Sequence, residues 1–300
     1  MAEKPFKSGF VGIIGRPNVG KSTLLNTFLG EKVAITTPKP QTTRNRILAI
    51  MNTDGGQFVF LDTPGIHRAK TPLNVHMVKS AMGTFSEADV LLLLVEADRG
   101  LHDEDSLILD SLKGIKIPVI LVINKIDLVK KEALLPLIDT FKDLYAFEEI
   151  IPISALKGFG VDRLTDILWR LLPEGPKLFP DDMITDRTER FMAAEIIREK
   201  ILLLTRQEIP YATAVVVEAF KEEEERNFIR IQASIIVEKD SQKGIVIGKK
   251  GAMLQDIGRQ ARKDLERFFN ARIYLELFVK VRKDWTHDER LIRELGYSEK

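Results

Sequence analysis

One stretch of eight residues, from Gly15 to Ser22, restricts the fold of this 300-residue chain more than any other feature. It reads Gly-Arg-Pro-Asn-Val-Gly-Lys-Ser and follows the apolar run Phe10 to Ile14, which predicts a strand, a loop and then a helix. In that setting backbone N–H groups can surround phosphate oxygens, Lys21 supplies a positive charge, and the Ser22 hydroxyl can bind Mg²⁺. A glycine-rich turn that binds nothing is the alternative, but the spacing and its context favour a nucleotide site. The nucleotide-binding residues predicted here are Gly15, Arg16, Pro17, Asn18, Val19, Gly20, Lys21, Ser22 and Thr23.

Short apolar runs alternate with helix-length segments up to about residue 172. Runs that are apolar on both faces are typical of strands in a mostly parallel sheet covered by helices. Ile47 to Met51 and Gln57 to Leu61 flank a polar turn, which predicts a hairpin and one antiparallel edge strand. The other predicted strands are Phe10 to Ile14, Val90 to Val95, Val119 to Ile123 and Ile150 to Ile153.

A second pattern, Asp62-Thr63-Pro64-Gly65, lies at the end of a predicted strand, 41 positions after Lys21. Alone it would be an ordinary turn, but the carboxyl ends of strands are where open α/β sheets bind ligands. Asp62 can then reach the Mg²⁺ shell through water, and the Gly65 amide can approach a γ-phosphate. Thr63, Pro64 and Ile66 complete this part of the predicted nucleotide site.

Two further loops are predicted to recognise the base. The Asp127 carboxylate can accept hydrogen bonds from guanine N1 and N2, whereas adenine offers no such pair of donors, so ATP would be rejected. Asn124, Lys125 and Asp127 form this pattern after one strand, and Ser154, Ala155 and Leu156 follow the next strand and would offer a backbone amide to guanine O6.

These patterns together resemble those of the translation-factor-like GTPases. The loop from Glu31 to Arg46, which contains Gln41-Thr42-Thr43-Arg44, narrows the resemblance to the Era-type GTPases of the TrmE/Era/EngA group. The resemblance implies an α/β P-loop GTPase domain, GTP and Mg²⁺ as ligands, and a first switch in which a threonine closes onto Mg²⁺ and the γ-phosphate. Thr43 is favoured because it directly precedes arginine, and Thr42 is the alternative. The implied switch and catalytic residues are Gln41, Thr42, Thr43, Lys21 and Gly65, and the implied metal ligands are Ser22, Thr43 and, through water, Asp62.

Two positions bear on how hydrolysis proceeds. Ile66 stands where Ras-like enzymes have a glutamine that orients water, and its side chain has no hydrogen-bonding group. The resemblance therefore implies slow intrinsic hydrolysis, with water ordered by the switch backbone or by a partner. Asn18 holds a monovalent cation in some relatives, which predicts K⁺ as an activating ion; that Asn18 only stabilises the loop is the alternative.

The pattern changes after a proline-containing linker at about residues 173–182. We expect a GTPase domain over residues 1–178 and a second domain over residues 183–300. The predicted order in the second half is helix, strand, strand, short helix, helix, strand and a final short helix, with an acidic turn from Lys221 to Arg226 after a strand over Ala212 to Phe220. This order resembles an α+β type II KH domain.

Gly248-Lys249-Lys250-Gly251 stands before a long predicted helix and resembles the G-x-x-G loop of KH domains. Its glycines allow close passage of a nucleic-acid backbone, and its lysines supply charge to phosphates; a plain helix-entry turn is the alternative. Residues 239–283 contain 12 basic and 5 acidic residues, a net of +7, although the whole chain carries only +1. The predicted RNA-binding residues are Ile247, Gly248, Lys249, Lys250, Gly251, Arg259, Lys263, Lys280, Arg282 and Lys283.

The resemblance covers essentially the whole chain and implies binding to the 3′ region of 16S ribosomal RNA and action in maturation of the small (30S) ribosomal subunit. It implies a cytoplasmic monomer with no DNA partner, and it allows peripheral contact with the inner face of the cell membrane. A GTP-regulated RNA chaperone with incidental turnover, and a GTPase whose second domain binds protein, are the alternatives. The absence of cysteine excludes disulfides and thiolate chemistry, and the short apolar runs predict neither export nor a membrane span.

Overall fold

The computed structural model describes residues 5–206 and 209–297. The chain divides into two compact units. Two segments, Ile35–Thr42 and Lys70–His76, belong to the second unit together with the residues from Arg187 onward. The first unit contains the other residues up to Asp186. The second unit therefore includes part of the predicted switch loop.

The first unit is organised around a six-stranded sheet with the order β2-β3-β1-β4-β5-β6. Every neighbouring pair is parallel except β2 and β3, which form an antiparallel hairpin at the edge. This confirms the predicted mostly parallel sheet with one antiparallel edge strand. The strands are β1 (Lys7–Gly15), β2 (Ile47–Thr53), β3 (Gly56–Asp62), β4 (Val90–Glu96), β5 (Val119–Asn124) and β6 (Glu149–Pro152).

Helices cover this sheet. Both β3 and β4 are buried along their whole length, as expected for strands packed on both faces. Phe28 stacks on Phe60 of β3 at 4.6 Å between ring centroids, while Phe141 joins the core cluster that contains Leu93 and Leu121. The helices here are α1 (Lys21–Leu29), α2 (Pro72–Glu87), α3 (Asp103–Ser111), α4 (Leu134–Lys142) and α5 (Val161–Leu171). The first residues of α2, up to His76, belong to the second unit.

The second unit contains a three-stranded sheet with the order β7-β8-β9, in which β7 and β8 are antiparallel and β8 and β9 are parallel. Ile197 and Ile201 of α6 pack in one core with Ile231 of β8 and Leu265 of α8. The elements are α6 (Glu189–Leu204), β7 (Ala214–Glu223), β8 (Phe228–Val237), α7 (Asp240–Ile247), α8 (Ala252–Phe269), β9 (Arg272–Val281) and α9 (Glu289–Glu294).

The acidic turn is shorter than the sequence predicts. Strand β7 continues to Glu223, which is paired with Phe228 in β8, and only Glu224–Arg226 forms a short 3₁₀ turn. An ion pair between Arg230 Nε and Glu223 Oε1, 2.9 Å long, supports the strand across the hairpin, so an acidic side chain is tolerated there. Among the described residues, no helix is long and apolar enough to cross a membrane.

Candidate nucleotide site and RNA cleft

The loop between β1 and α1 has the backbone geometry of a phosphate-binding loop. Gly15 and Gly20 have φ values of 147° and 101°, and a Cβ atom at Gly20 would lie 2.2 Å from Asn124 Nδ2. Asn18 has a φ of 67°, in the left-handed region that asparagine tolerates. Helix α1 begins at Lys21, so its first N–H groups, including those of Ser22 and Thr23, lie beside the loop, where an anion is favoured.

The Lys21 side chain closes back over this loop. Its Nζ atom donates to the carbonyl oxygens of Gly15 at 3.1 Å and Arg16 at 2.8 Å. Burial lowers the pKa of Lys21 to about 8, and the negative charge of Asp62 opposes this shift. A buried ammonium group at this position is suited to a phosphate partner, which would favour its charged form.

Three oxygen-bearing side chains meet next to the loop. Ser22 Oγ donates to Asp62 Oδ2 at 2.7 Å and lies 2.8 Å from Thr43 Oγ1. Burial raises the pKa of Asp62 to about 6, and its Oδ1 atom is buried without a hydrogen-bond partner in the described part of the chain. Hard oxygen donors around a carboxylate oxygen that has no partner fit a Mg²⁺ ion.

The neighbouring threonine has a different environment. Thr42 Oγ1 donates to the Lys39 carbonyl oxygen at 2.7 Å and lies 2.7 Å from Thr37 Oγ1, within the segment Ile35–Thr42. Gln41 in the same segment has a φ of 60°. The geometry therefore favours Thr43, rather than Thr42, as the magnesium ligand.

The loop after β3 approaches the phosphate loop closely. Ile66 N donates to Gly15 O at 3.1 Å, and Thr63 Oγ1 donates to Ile13 O at 2.7 Å. A Cβ atom at Gly65 would lie 2.5 Å from Pro17 N, so a side chain there would displace backbone. The Ile66 side chain is buried in the core cluster. Beyond Asp62, the loop from Thr63 through Pro64 to Ile66 thus offers backbone, rather than polar side chains, to the expected γ-phosphate.

The two base-recognition loops are joined to each other and to the phosphate loop by Asn124. Its Nδ2 donates to Val19 O at 2.8 Å, and its Oδ1 accepts from Ala155 N at 2.9 Å. Asp127 lies on a short 3₁₀ turn with its side chain exposed, where a base can reach it. In the first of these loops, Lys125 has a φ of 65° and pairs with Glu96. In the second, Ser154 Oγ accepts a hydrogen bond from Lys157 N at 3.3 Å, and Leu156 is exposed.

Arg16 contributes its backbone to the loop while its side chain is held elsewhere. Its Nε donates to Asp105 Oδ1 at 2.7 Å, and its Nη2 lies 3.5 Å from Glu96 Oε2. Glu96 also pairs with Lys125, so one buried carboxylate connects two of the loops. Sequence reasoning did not identify Glu96 or Asp105, because neither residue belongs to a motif and only the fold brings them to the loop.

In the second unit, the Gly248–Gly251 loop joins α7 to α8. Gly248 and Gly251 have φ values of 71° and 82°, and Lys250 between them has a φ of 52°. A Cβ atom at Gly248 would lie 2.7 Å from Met253 Cβ. Both Lys249 and Lys250 are exposed. The loop therefore presents two cations between two glycines whose positive φ values disfavour larger side chains.

Beside this loop lies a cleft of about 940 Å³ between one face of α8 and strand β9. Of the residues predicted to bind RNA, Gly251 and Arg259 line it; Arg259 also pairs with Asp256. The other lining residues include Leu254, Gly258 and Arg262 of α8 and Tyr274, Leu275 and Leu277 of β9.

The remaining predicted RNA residues lie outside the lining of this cleft. Lys280 Nζ is 2.5 Å from Glu218 Oε1, while Lys263, Arg282 and Lys283 are exposed. Ile247 ends α7 just before the loop. The sequence did carry a signal for the missed residues, because Leu254, Gly258 and Arg262 recur at four-residue spacing on one face of the predicted helix.

The fold and the two sites define a class of protein: a guanine-nucleotide-binding P-loop domain followed by a KH domain. Family models agree with both halves, because residues 10–125 match the model described as 50S ribosome-binding GTPase and residues 208–286 match the KH domain model.

The chain belongs to the family of Era GTPases. It is 65% identical to GTPase Era of Syntrophus aciditrophicus (strain SB), over 98% of this chain and 96% of that protein. It is 57% identical to GTPase Era of Geobacter metallireducens, over 99% of this chain and 100% of that protein.

Two solved Era structures are similar to almost all of the chain. One is Era in complex with MgGDPNP and nucleotides 1506–1542 of 16S ribosomal RNA, with a TM-score of 0.95 and 45% identity. The other is an Aquifex aeolicus Era variant bound to GDP·AlF₄⁻, with a TM-score of 0.94 and 44% identity. Each similarity covers 98% of this chain and 100% of the solved chain.

Proposed function

We propose that this protein is a GTP-hydrolysing switch that binds the 3′ region of 16S ribosomal RNA through its KH domain and acts in maturation of the small ribosomal subunit. The observation that carries the proposal is the meeting of Ser22, Thr43 and Asp62 beside Lys21, in a chain whose second unit has a KH cleft. The Era complex with MgGDPNP and 16S ribosomal RNA supports it, because that protein is similar to this chain in both halves.

The nucleotide site would use its residues as follows. The N–H groups at the start of α1 and the Lys21 ammonium bind the phosphates, while Asp127 accepts hydrogen bonds from guanine N1 and N2. Ser22 and Thr43 would hold Mg²⁺ directly and Asp62 would hold it through water. When bound, the ion would supply positive charge that offsets the charge developing on the phosphates.

We expect the attacking water to be ordered by backbone. Ile66 is apolar and buried, so its side chain cannot orient water. The backbone of Gly65, which lies against Pro17 of the phosphate loop, is the group of this loop that we expect to order the water. Intrinsic turnover should therefore be slow.

K⁺ is the proposed activating ion, held by Asn18. Asn18 lies in the phosphate loop with a left-handed backbone, and a cation bound there would offset charge on the phosphates. Turnover should be faster in KCl than in NaCl for the parent protein and equal in the two salts for Asn18→Ala. Equal turnover of the parent protein in both salts would exclude K⁺ activation.

We further propose that the protein acts as a cytoplasmic monomer on the small subunit, with no DNA partner. Peripheral membrane contact stays an expectation from the family resemblance.

The RNA assignment can be tested with the parent protein, a 16S 3′-end fragment and Lys249→Glu combined with Lys250→Glu. Loss of two phosphate contacts should weaken RNA binding. It should also make the slope of log affinity against log salt concentration shallower, by the amount expected for about two phosphate contacts. Lys130→Glu combined with Lys131→Glu is the matched control, because these lysines lie in the first unit. Unchanged RNA affinity in the first double variant would contradict RNA binding by the loop and favour a protein partner.

A further inference from the structure

Helix α6 carries four buried charged residues that neither proposed ligand explains. Glu195, Arg198, Glu199 and Lys200 are each at most 7% exposed. Burying charge is costly unless each group finds a partner of opposite charge or a hydrogen bond. The partners of these residues therefore indicate why the helix retains them.

Two of the four bind the backbone of the segment Ile35–Thr42, which belongs to the same unit as α6. Glu199 Oε1 accepts from Thr36 N at 3.0 Å, and Arg198 Nη2 donates to the Thr42 carbonyl oxygen. Arg198 is itself held by Glu195, through contacts of 2.7 Å and 2.6 Å. Both ends of the segment are thus anchored on the helix by groups with fixed orientation.

A third contact anchors the middle of the segment. Lys39 Nζ donates to the carbonyl oxygens of Leu202 and Thr205 at the carboxyl end of α6, where helix carbonyls lack partners within the helix and a cation is favoured. Lys39 N donates to Thr37 Oγ1 at 3.1 Å, and Thr42 Oγ1 donates to Lys39 O. The segment is therefore stiffened internally as well as tied down.

The next residue after this segment is Thr43, whose hydroxyl lies beside Ser22 and Asp62. A peptide bond joins the Thr42 carbonyl carbon, whose oxygen Arg198 holds, directly to the Thr43 backbone. The position of Thr42 therefore limits where the Thr43 side chain can be placed.

We propose that Arg198, Glu199 and Lys39 are positioning residues for GTP hydrolysis, which hold the segment Ile35–Thr42 on α6 and so present Thr43 to Mg²⁺. This inference rests on the proposed function of Thr43 as a magnesium ligand. The three residues would act through the backbone of the segment.

The inference can be tested with Lys39→Met, which keeps the aliphatic stem and removes the donor without leaving a buried carboxylate unpaired. We expect kcat for GTP to fall about tenfold and the Mg²⁺ concentration for half-maximal rate to rise, with GDP affinity unchanged. Lys131→Met, at an exposed lysine of the first unit, should change none of these quantities. Arg198→Lys retains the charge but loses the forked geometry, and it should give a smaller loss of kcat than Arg198→Ala.

A double-mutant cycle separates positioning from general stability. In a Thr43→Ala background, Lys39→Met should cause no further loss of kcat, because both changes act on the same group. Additive losses, an unchanged kcat in Lys39→Met, or a parallel fall in GDP affinity and thermal stability would each overturn the inference. If Thr43→Ala alone leaves kcat and the Mg²⁺ requirement unchanged, the proposed role of Thr43 fails and positioning fails with it.

Discussion

At the scale of single residues, close backbone contact limits substitution at Gly65. A Cβ atom there would lie 2.5 Å from Pro17 N and 2.6 Å from Pro17 Cα, so the loop after β3 would have to move away from the phosphate loop. We expect Gly65→Ala to weaken binding of a GTP analogue by about tenfold or more, with a smaller effect on GDP, because Gly65 faces the expected γ-phosphate. Equilibrium titration with both nucleotides measures this.

Gly83→Ala is the matched control for that substitution. Gly83 lies within α2, and nothing comes within 4 Å of a Cβ atom built there. The change should leave nucleotide affinity unaltered and raise stability by about 0.5–1 kcal/mol, because alanine favours a helix. Equal affinity losses for GDP and the GTP analogue in Gly65→Ala would contradict a contact specific to the γ-phosphate.

Asp127 is the residue that should choose the base. In Asp127→Asn an amide replaces the carboxylate, which removes charge-assisted hydrogen bonds worth about 1.5–3 kcal/mol each and should lower GTP affinity by roughly 100-fold or more. Xanthine has an oxygen where guanine has its N2 amino group, so the new amide N–H should improve binding of XTP. Competition titrations with GTP and XTP measure the exchange, and Asp139→Asn, at an exposed position on α4, is the control. A loss of affinity for both nucleotides would argue against base selection by Asp127.

Motif spacing predicted which backbone segments form the nucleotide site, but it did not predict every side chain's direction. The Lys21–Ser22–Asp62 grouping follows from strand ends that meet at one edge of a parallel sheet. In contrast, Arg16 is an unspecified position of its motif, and its pairing with Asp105 depends on where α3 packs. Sequence left Thr42 and Thr43 open because adjacent threonines satisfy the same pattern.

At the scale of secondary-structure elements, α8 and β9 create a cleft that no single motif encodes. The apolar positions Ile257, Ala261 and Leu265 face the core at four-residue spacing, which helical periodicity predicts. The strand that lines the cleft with α8 is β9, and its place in the sheet depends on its parallel pairing with β8. Sequence reasoning therefore located the lysines of the G-x-x-G loop but missed Tyr274 and Arg262.

Tyr274 should stack on an RNA base in this cleft. Its ring is exposed, its hydroxyl donates to Glu276 Oε1 at 2.9 Å, and it lines the cleft. Stacking of a base on an aromatic ring is worth about 1–3 kcal/mol, so Tyr274→Ala should weaken binding of the 16S fragment by roughly 5- to 150-fold. Fluorescence anisotropy with labelled RNA measures the change.

Phe278 provides a control on the same strand. It is 49% exposed against 46% for Tyr274, but it does not line the cleft. Phe278→Ala should leave RNA affinity unchanged. Similar losses in the two variants would indicate that the open face of the sheet, rather than the cleft, binds RNA.

At the scale of the whole molecule, the net charge of +1 hides an uneven distribution of charge along the chain. Residues 239–283, which include the Gly248–Gly251 loop, α8 and β9, carry a net charge of +7, and acidic residues elsewhere in the second half offset it. A protein with this distribution attracts RNA to one surface without binding polyanions everywhere. Because RNA and nucleotide are expected to bind at separate sites on one chain, binding of one can change the affinity for the other.

If GTP controls RNA binding, thermodynamics requires RNA to control GTP binding by the same factor. We expect the 16S fragment to bind more tightly to the protein with a GTP analogue than with GDP, by about 5- to 150-fold, the usual range for coupled sites. RNA should then raise the preference for the GTP analogue over GDP by that same factor. The test is to measure the RNA affinity of the protein with each nucleotide, and the affinities for the GTP analogue and for GDP with and without RNA. The two coupling factors obtained in this way should agree. Equal RNA affinity in the two nucleotide states would remove the coupling and favour an RNA chaperone in which turnover is incidental.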